Sequence, residues 1–315
     1  MKKKMFNEVH GEGYLYEHNL EKKTSKKGVD YIRGTISLAT DEQCTNIVKF
    51  EFPYVVPTYA KSGKPNATHK ILENIMNTAN CTVMSGGKEK ALKLKIDSAI
   101  DLNEWYDLNQ NELISNMRNS GGFVNNIQKL NDKEDKRNTF KTDILITGIF
   151  RKEANEETNE PEKATIKGAI FDFANNLLPI SLTVYNPNAI SYFEGLEPSS
   201  SKPVFTTVWG NIVSQEIVKK YETENAFGET LIEERTSSKR EYVINGASTV
   251  PYEWDSEDTI TANELKEAMS NREIHLAEVK KNAEEYAAQK DAGAPSILSN
   301  TAASAVPAGN SEFVF

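Results

Sequence analysis

The feature that most constrains the fold is a strand-like alternation that gives way to a helical pattern and then returns. From Val48 to Tyr54 every second residue is apolar, with lysine and glutamate between, as in a half-buried β-strand. Apolar residues then follow helical spacing between residues 66 and 80, and strand alternation resumes at Ala91–Asp97. Together with a strand-like run at residues 29–38, this predicts a small β-rich unit that contains one helix.

The second half of the sequence carries a similar order of patterns. Strand-like runs occupy residues 143–150, 165–171 and 179–185, followed by a short helix near 188–195 and another strand at 203–213. Three landmark pairs keep an offset between 112 and 122 residues: Gly34 and Gly148, Asn66 and Asn188, and Ile100 and Ile212. We interpret the chain as one β-rich unit used twice.

Polar and low-complexity segments divide the chain. A capping-box sequence, Thr261 to Glu264, opens an amphipathic helix after the second unit. The predicted divisions are a first unit with an N-terminal basic hairpin at 1–130, a linker at 131–138, a second unit at 139–250, an acidic helix at 251–290 and a disordered tail at 291–315.

The net charge of −9 is unevenly distributed. The chain from Val250 onward carries 12 acidic and 5 basic side chains, which leaves 34 and 32 in the first 249 residues. The body is therefore nearly neutral and has room for a basic groove, although the total charge disfavours a polyanion-binding protein.

Neither a secretory signal nor a membrane span is indicated. The basic N-terminus is followed by no apolar stretch, and no run reaches the ~18 apolar residues that a spanning helix needs. Two cysteines are too few for a disulfide framework. We therefore expect a cytoplasmic protein.

An enzyme needs convergent reactive groups, and the sequence offers few. It contains no His-x-x-x-His pair, no Cys-x-x-Cys pair and no Walker-type Gly-Lys-Ser/Thr. We expect a non-catalytic protein without a metal or cofactor. One alternative is a metal-dependent nuclease built on Asp97, Asp101 and Glu104.

A binding surface for single-stranded nucleic acid is easier to build, because lysines that neutralise phosphates occur near aromatic rings on which bases stack. Alternating lysines along one strand would project from one face about 7 Å apart. The first candidates are Lys88, Lys90, Lys93 and Lys95, with Trp105, Tyr106, Arg118 and Phe123 just downstream. The alternative interpretation is a solvated strand face with the aromatics in the core.

Further candidates lie where the same face could collect them. These residues are Arg33 and Lys49 on the first two predicted strands, and Tyr54, Tyr59, Lys61 and Lys64 in and before the following loop. A basic hairpin tip, Lys22 to Lys27, precedes Tyr31 and could clamp a DNA backbone or keep a sheet edge soluble. In the second unit the candidates are Tyr185, Trp209 and Tyr242.

This order of elements resembles the OB-fold, a five-stranded Greek-key barrel. In the second unit, residues 192–198 and 204–212 look like the helix and fourth strand of such domains. In the first, residues 91–106 with the sequence Leu-Asn-Glu-Trp-Tyr-Asp at 102–107 resemble the corresponding strand and loop of phage-type single-stranded DNA-binding proteins. The resemblance covers residues 29–250. It implies a protein dominated by β-structure, with two tandem OB-fold-like barrels, a C-terminal acidic helix and a disordered tail.

The resemblance also implies a function, which is sequence-independent binding and protection of single-stranded DNA during phage replication or recombination. Such proteins often end in acidic residues and a terminal aromatic that recruit partners. Here the end carries Glu312, Phe313 and Phe315, with one acid at the tip, so we expect replication or recombination proteins to bind the helix and tail. The alternative is a β-rich structural or assembly protein of a virion.

Overall fold

A computed structural model describes residues 5–59, 61–155, 160–224, 230–254 and 259–291. Strands dominate it, and their bounds are β1 Asn7–His18, β2 Glu21–Thr24, β3 Asp30–Ala39, β4 Ile47–Val55, β5 Lys93–Asp107, β6 Glu112–Asn126, β7 Asn138–Lys152, β8 Lys163–Phe171, β9 Leu177–Val184, β10 Val204–Glu224 and β11 Thr230–Ala247. The helices are α1 Ala67–Asn77, α2 Val83–Gly86, α3 Pro187–Gly195 and α4 Ala262–Asp291, with one 3₁₀ turn at Glu134–Lys136.

The first five long strands, apart from the short β2, close into a barrel. Strand β1 pairs antiparallel with β3 and β5, β3 pairs antiparallel with β4, and β5 pairs antiparallel with β6. The circuit closes through the parallel pair of β4 and β6. Along the chain, helices α1 and α2 lie between β4 and β5, the third and fourth strands of this barrel. This is the topology of an OB-fold, and the predicted fold class is confirmed.

The second half repeats the same circuit. Strand β7 pairs antiparallel with β8 and β10, β8 with β9, and β10 with β11, and the parallel contact of β9 with β11 closes the barrel. Helix α3 again lies between the third and fourth strands. An asparagine caps the helix at this place in both barrels. The side chain of Asn66 accepts from the amide of Thr68, and that of Asn186 from the amides of Asn188 and Ala189.

The two barrels are joined by their first strands. The N-terminal half of β1 pairs antiparallel with the N-terminal half of β7, and Val9 faces Phe140 at the middle of the five paired positions. We call Val9 and Phe140 the axis pair, because equivalent strands that pair antiparallel are related by a local twofold axis. All eleven strands thereby belong to one hydrogen-bonded sheet.

Two details of the predicted repeat are wrong. Gly34 lies in the second strand of its barrel, whereas Gly148 lies in the first strand of the other, so they are not equivalent. The equivalent of Asn66 is Asn186, the cap of α3, and not Asn188. The third landmark pair, Ile100 and Ile212, does hold equivalent positions, because each lies two residues after the partner of its axis residue.

Strand β1 was not predicted, because glycines interrupt its alternation. Val9 and Leu15 point into the core, but Gly11 and Gly13 occupy the inward positions between them. A Cβ at Gly11 would lie 2.2 Å from Cζ of the buried Phe50. The glycine therefore leaves the space that the phenylalanine ring fills, and the sequence shows no apolar residue at that position.

Helix α4 begins at the predicted capping box. The amide of Glu264 donates to Thr261 Oγ1 at 3.2 Å, and the amide of Thr261 donates to Glu264 Oε2 at 3.1 Å. The first turns of α4 cover a small core of the second barrel, where Ala268 is buried and Leu265 and Met269 pack on it. None of the described helices is long and apolar enough to cross a membrane.

Candidate nucleic-acid interface

Two tyrosine rings meet at one end of the first barrel, and a third tyrosine follows in the next loop. The rings of Tyr31, at the start of β3, and Tyr54, at the end of β4, have centroids 4.5 Å apart and planes inclined by 41°. Tyr54 is 51% exposed and Tyr59, in the loop that follows β4, is 39% exposed. The pairing of Ile32 with Val55 brings the two strand ends together. We call Tyr31, Tyr54 and Tyr59 the tyrosine platform.

Four exposed lysines flank the tyrosine platform in sequence. Lys26 and Lys27 form the tip of the β2–β3 hairpin, and Lys61 and Lys64 lie in the loop between β4 and α1. Within the described part of the chain, none of these four ammonium groups forms an ion pair. Their charge therefore remains available for phosphate groups at this end of the barrel.

Backbone hydrogen bonds hold both of these segments in defined turns. In the hairpin tip, the amide of Ser25 donates to the carbonyl of Val29 at 2.8 Å, and Gly28 takes a φ of +75° that favours glycine. In the loop, the amide of Tyr59 donates to the carbonyl of Lys64 at 2.9 Å. The lysines are thus carried on ordered turns rather than on extended chain.

The neighbouring basic residues of the hairpin are neutralised by carboxylates. Nε of Arg33 lies 2.6 Å from Glu21 Oε1, and Nζ of Lys23 lies 3.0 Å from Glu21 Oε2. Hydrogen bonds from Arg33 and Lys23 lower the pKa of Glu21. Lys22 pairs with Glu73 of α1 at 2.5 Å. Arg33, a predicted binding residue, is therefore engaged in an internal ion pair.

The expected row of four lysines along one strand is not formed. Strand β5 begins only at Lys93, so Lys88 and Lys90 lie in the turn that follows α2. Lys93 donates to the carbonyl of Gln128 at 3.4 Å. Lys95 lies 3.6 Å from a carboxylate oxygen of Asp97. The predicted alternation therefore holds only for Lys93 and Lys95, because a turn after α2 separates Lys88 and Lys90 from strand β5.

Glu42 holds two basic residues in place at the opposite side of the barrel. Lys88 Nζ lies 2.6 Å from Glu42 Oε2, and Nη1 of the buried Arg137 lies 2.8 Å from Oε1. Hydrogen bonds from Lys88 and Arg137 lower the pKa of Glu42 to about 2. Of the four lysines that were predicted to share one strand, only Lys90 is exposed and without an ion pair to any described residue.

Trp105 and Tyr106 point to opposite faces of β5, as neighbours on a strand must. Trp105 is 38% exposed on the outer face. The ring of Tyr106 faces α4, with Lys280 Nζ 5.1 Å from its centroid. The two rings therefore do not share one surface on which bases could stack.

Helix α4 is fastened beside Tyr106 by an ion pair. Arg272 Nη1 donates to Glu104 Oε2 at 2.6 Å, and the side chains of Glu104 and Arg272 are 3% and 12% exposed. His275 Nε2 lies 3.2 Å from the same carboxylate. Burial by itself raises the pKa of Glu104, but Arg272 and Ser115 outweigh it and hold the pKa below its usual value.

The outer face of β4 to β6 carries Lys49 and Arg118. Arg118 is enclosed by acids, with Nη2 2.7 Å from Asp101 Oδ2 and Nη1 3.2 Å from Glu51 Oε2. Lys49 is half-buried and makes no ion pair with any residue that the structure describes. The Arg118 guanidinium is thus held by two carboxylates of its own barrel, whereas the Lys49 ammonium has no carboxylate partner among the described residues.

The three carboxylates of the nuclease alternative do not converge. Asp97 Oδ1 lies 2.9 Å from His10 Nδ1, Asp101 pairs with Arg118, and Glu104 pairs with Arg272 under α4. Among the described residues, no group of three or more His, Cys, Asp or Glu side chains could hold a metal ion.

The remaining predicted residues lie in different parts of the chain. Phe123 is 64% exposed and faces Asp97 across β5 and β6. In the second barrel, Tyr242 is buried. The terminal residues Glu312, Phe313 and Phe315 lie outside the described residues. The pairing of Tyr31 with Tyr54 was not predicted, since the signal lies in the strand register rather than in the spacing.

The fold defines a protein of two OB-topology barrels with a candidate aromatic and basic surface on the first. A family model described as YorF matches residues 5–282, and the chain belongs to the YorF family. Comparison with curated proteins gave no match.

Among solved structures, the chain is similar to the wild-type single-stranded DNA binding protein from Thermus aquaticus and to a deletion mutant of it. Both are 8% identical to the chain, with a TM-score of 0.43, and cover 78% of it. The match covers 93% of the wild-type chain and 94% of the mutant chain.

Proposed function

We propose that the protein binds single-stranded DNA without sequence preference and without catalysis, and that the tyrosine platform and its lysines form the contact surface. The observation that carries this proposal is the ring pair of the half-buried Tyr31 and the exposed Tyr54, flanked by lysines whose charge no described carboxylate neutralises. Aromatic faces accept any base, and free cations track the phosphates.

The distribution of ion pairs supports this location over the one that the sequence favoured. Lys88, Arg33 and Arg118 each bind a carboxylate of the same barrel, so a phosphate would have to displace that partner. Lys26, Lys27, Lys61 and Lys64 have no such competitor among the described residues. Binding of DNA at this end of the barrel therefore requires no internal ion pair to break.

We place this activity in phage DNA replication or recombination in the host cytoplasm. Replication or recombination proteins are proposed as partners that dock on α4 and the tail. The acidic residues of α4, which include Glu267, Glu273 and Glu278 on its exposed side, favour a partner with a basic surface.

The test is a titration of fluorescein-labelled oligo-dT, followed by anisotropy at several salt concentrations. Stacking of one base contributes roughly 1–3 kcal/mol, so Tyr54→Ala is expected to weaken binding about 5- to 150-fold. Each lost phosphate contact lowers the salt slope by about 0.7, so the double variant K61A/K64A is expected to lower it by about 1.4.

Matched controls remove the same groups elsewhere. Phe173→Ala deletes an aromatic side chain that is 97% exposed in the second barrel. K133A/K202A deletes two exposed lysines that make no ion pair with a described residue. Binding that is absent at low salt, or variants of the tyrosine platform that behave like these controls, would contradict the proposal.

A further inference from the structure

On the outer face of the sheet that joins the barrels, the same cross-strand pair of positions carries an exposed aromatic side chain in each barrel. In the first barrel Asp97 faces Phe123 across β5 and β6, and in the second Trp209 faces Gly246 across β10 and β11. Asp97 and Trp209 are equivalent, because the residue after each pairs with the axis residue of its own barrel. The aromatic group is thus on the last strand in one barrel and on the fourth strand in the other.

The fold does not require a tryptophan at this position, since the first barrel closes with Asp97 there. Trp209 is nevertheless 42% exposed, so this part of its apolar surface gains nothing from burial on folding. The indole ring also needs a neighbouring residue that has no side chain. A Cβ at Gly246 would lie 2.5–2.7 Å from three atoms of the indole.

Glycine at position 246 therefore lets the indole lie against the backbone of β11. One side of the ring is supported by the sheet, and 42% of the residue remains open to solvent. A ring that is fixed in this way loses little conformational entropy when a second planar group stacks on it.

Polar and charged groups lie beside Trp209. Lys141 pairs with Trp209 across β7 and β10, and its ammonium lies 3.7 Å from the ring centroid of Phe6. On the next strand, the exposed Asn245 donates its amide to Asn211. Glu8 is the register partner of Lys141 on β1, so an acidic and a basic residue stand opposite each other here.

We infer that Trp209 is a second stacking site, which takes an unpaired nucleobase of the strand that the tyrosine platform holds. The inference rests on the proposed function and extends it to the second barrel. The ring supplies the contact, and the opposite charges of Lys141 and Glu8 make this contact depend little on salt. The ligand class is an unpaired base of any identity, because every base offers a π-face.

The experiment uses the full chain with Trp209 as its single tryptophan, which the variant W105F/W254F provides. Oligo-dT is titrated at low salt while tryptophan emission and the anisotropy of a labelled oligonucleotide are recorded in parallel. Stacking on the indole quenches its emission. The inference expects quenching that saturates with the anisotropy, for oligonucleotides long enough to reach the second barrel.

Two further variants make the test specific. W105F/W209F retains only Trp254, whose emission is expected to stay unchanged. Adding Gly246→Ala to the Trp209-only protein tilts the indole, and the quenching is expected to fall at least twofold while a thermal melt shows that the protein is folded. Trp209→Ala is expected to weaken binding of long oligonucleotides about 5- to 150-fold and to leave short ones unaffected.

The outcomes separate the two proposals. Full anisotropy change without quenching of Trp209 overturns the second stacking site and leaves the tyrosine platform standing. Absence of any anisotropy change overturns both. Quenching that persists equally with Gly246→Ala also overturns the inference, because the supported ring is its basis.

Discussion

The hydroxyl of Tyr242 donates a 2.8 Å hydrogen bond to Oδ1 of Asn119, and both side chains are buried where the two barrels meet. The two residues hold equivalent positions, since Asn119 pairs with Ile100 and Tyr242 pairs with Ile212. The amide nitrogen of Asn119 donates in turn to the carbonyl of Lys49 at 2.9 Å. One buried polar contact thus ties the last strands of both barrels together.

Tyr242→Phe removes the donor of this bond and leaves Asn119 Oδ1 buried without its described partner. We expect the free energy of unfolding to fall by about 1–3 kcal/mol, the usual cost of an unsatisfied buried acceptor. Urea unfolding measures it. Tyr106→Phe is the control, because its hydroxyl bonds Asn111 at the surface and should change stability by less than about 0.5 kcal/mol. Equal effects of the two variants would refute the importance of the buried bond.

Gly11→Ala forces a methyl group into the ring of Phe50, whose Cζ would lie 2.2 Å away. Overpacking of this kind costs about 1–3 kcal/mol, and we expect a matching loss in thermal unfolding. The double variant G11A/F50L should recover part of the loss, because the shorter side chain vacates the space. Gly195→Ala is the control, since nothing lies within 4 Å of the added group. A silent Gly11→Ala would contradict the packing described for β1.

Arg272→Ala leaves the carboxylate of Glu104 without its main partner under α4. Breaking a buried ion pair in this way costs about 3–5 kcal/mol, so we expect α4 to detach from the β5–β6 hairpin. Hydrogen exchange of the α4 amides is the measurement, and faster exchange is expected. E104L/R272L should restore much of the protection, because it removes both charges together. Lys281→Ala, which breaks an exposed ion pair with Glu285, serves as the control.

Glu42 gives the protein a defined acid sensitivity. Its pKa falls from 4.5 to about 2 in the folded state because of Lys88 and Arg137, so its ion pairs stabilise the fold fully above pH 4.5. This stability is lost as the pH falls from 4.5 towards 2. Compared with Glu42→Gln, the wild type should lose its advantage over this window in unfolding experiments, and salt should reduce the advantage because the carboxylate is 41% exposed. Glu89→Gln, at an exposed acid with no described ion pair, is the control.

Much of the fold could be predicted from the sequence, because alternation and helical spacing report burial directly. The residues Val48, Phe50 and Phe52 are buried as their alternation predicts, and Thr261 and Glu264 form the expected capping box. Strand β1 was not predicted, since its inward glycines carry no apolar signal. The space at Gly11 is filled by the ring of Phe50, which comes from another strand.

The candidate site could be predicted only in part. Tyr54, Tyr59, Lys61 and Lys64 do lie near one end of the first barrel, but the pairing of Tyr54 with Tyr31 depends on strand register. Which cations are free depends on partners far along the chain, as with Arg118, whose carboxylates are 17 and 67 residues away. Composition and spacing cannot supply that information.

The axis pair of Val9 and Phe140 has a directional consequence. Because the equivalent strands β1 and β7 run antiparallel, the two barrels point in opposite directions within the plane of their shared sheet. A DNA strand has chemical polarity, so one that crosses this sheet in a straight line meets the first barrel in the 5′-to-3′ sense and the second in the 3′-to-5′ sense, or the reverse. If the proposed function holds, two sites related by this axis could not both fit such a strand. The exposed aromatic groups Phe123 and Trp209 lie on the last strand of one barrel and on the fourth strand of the other.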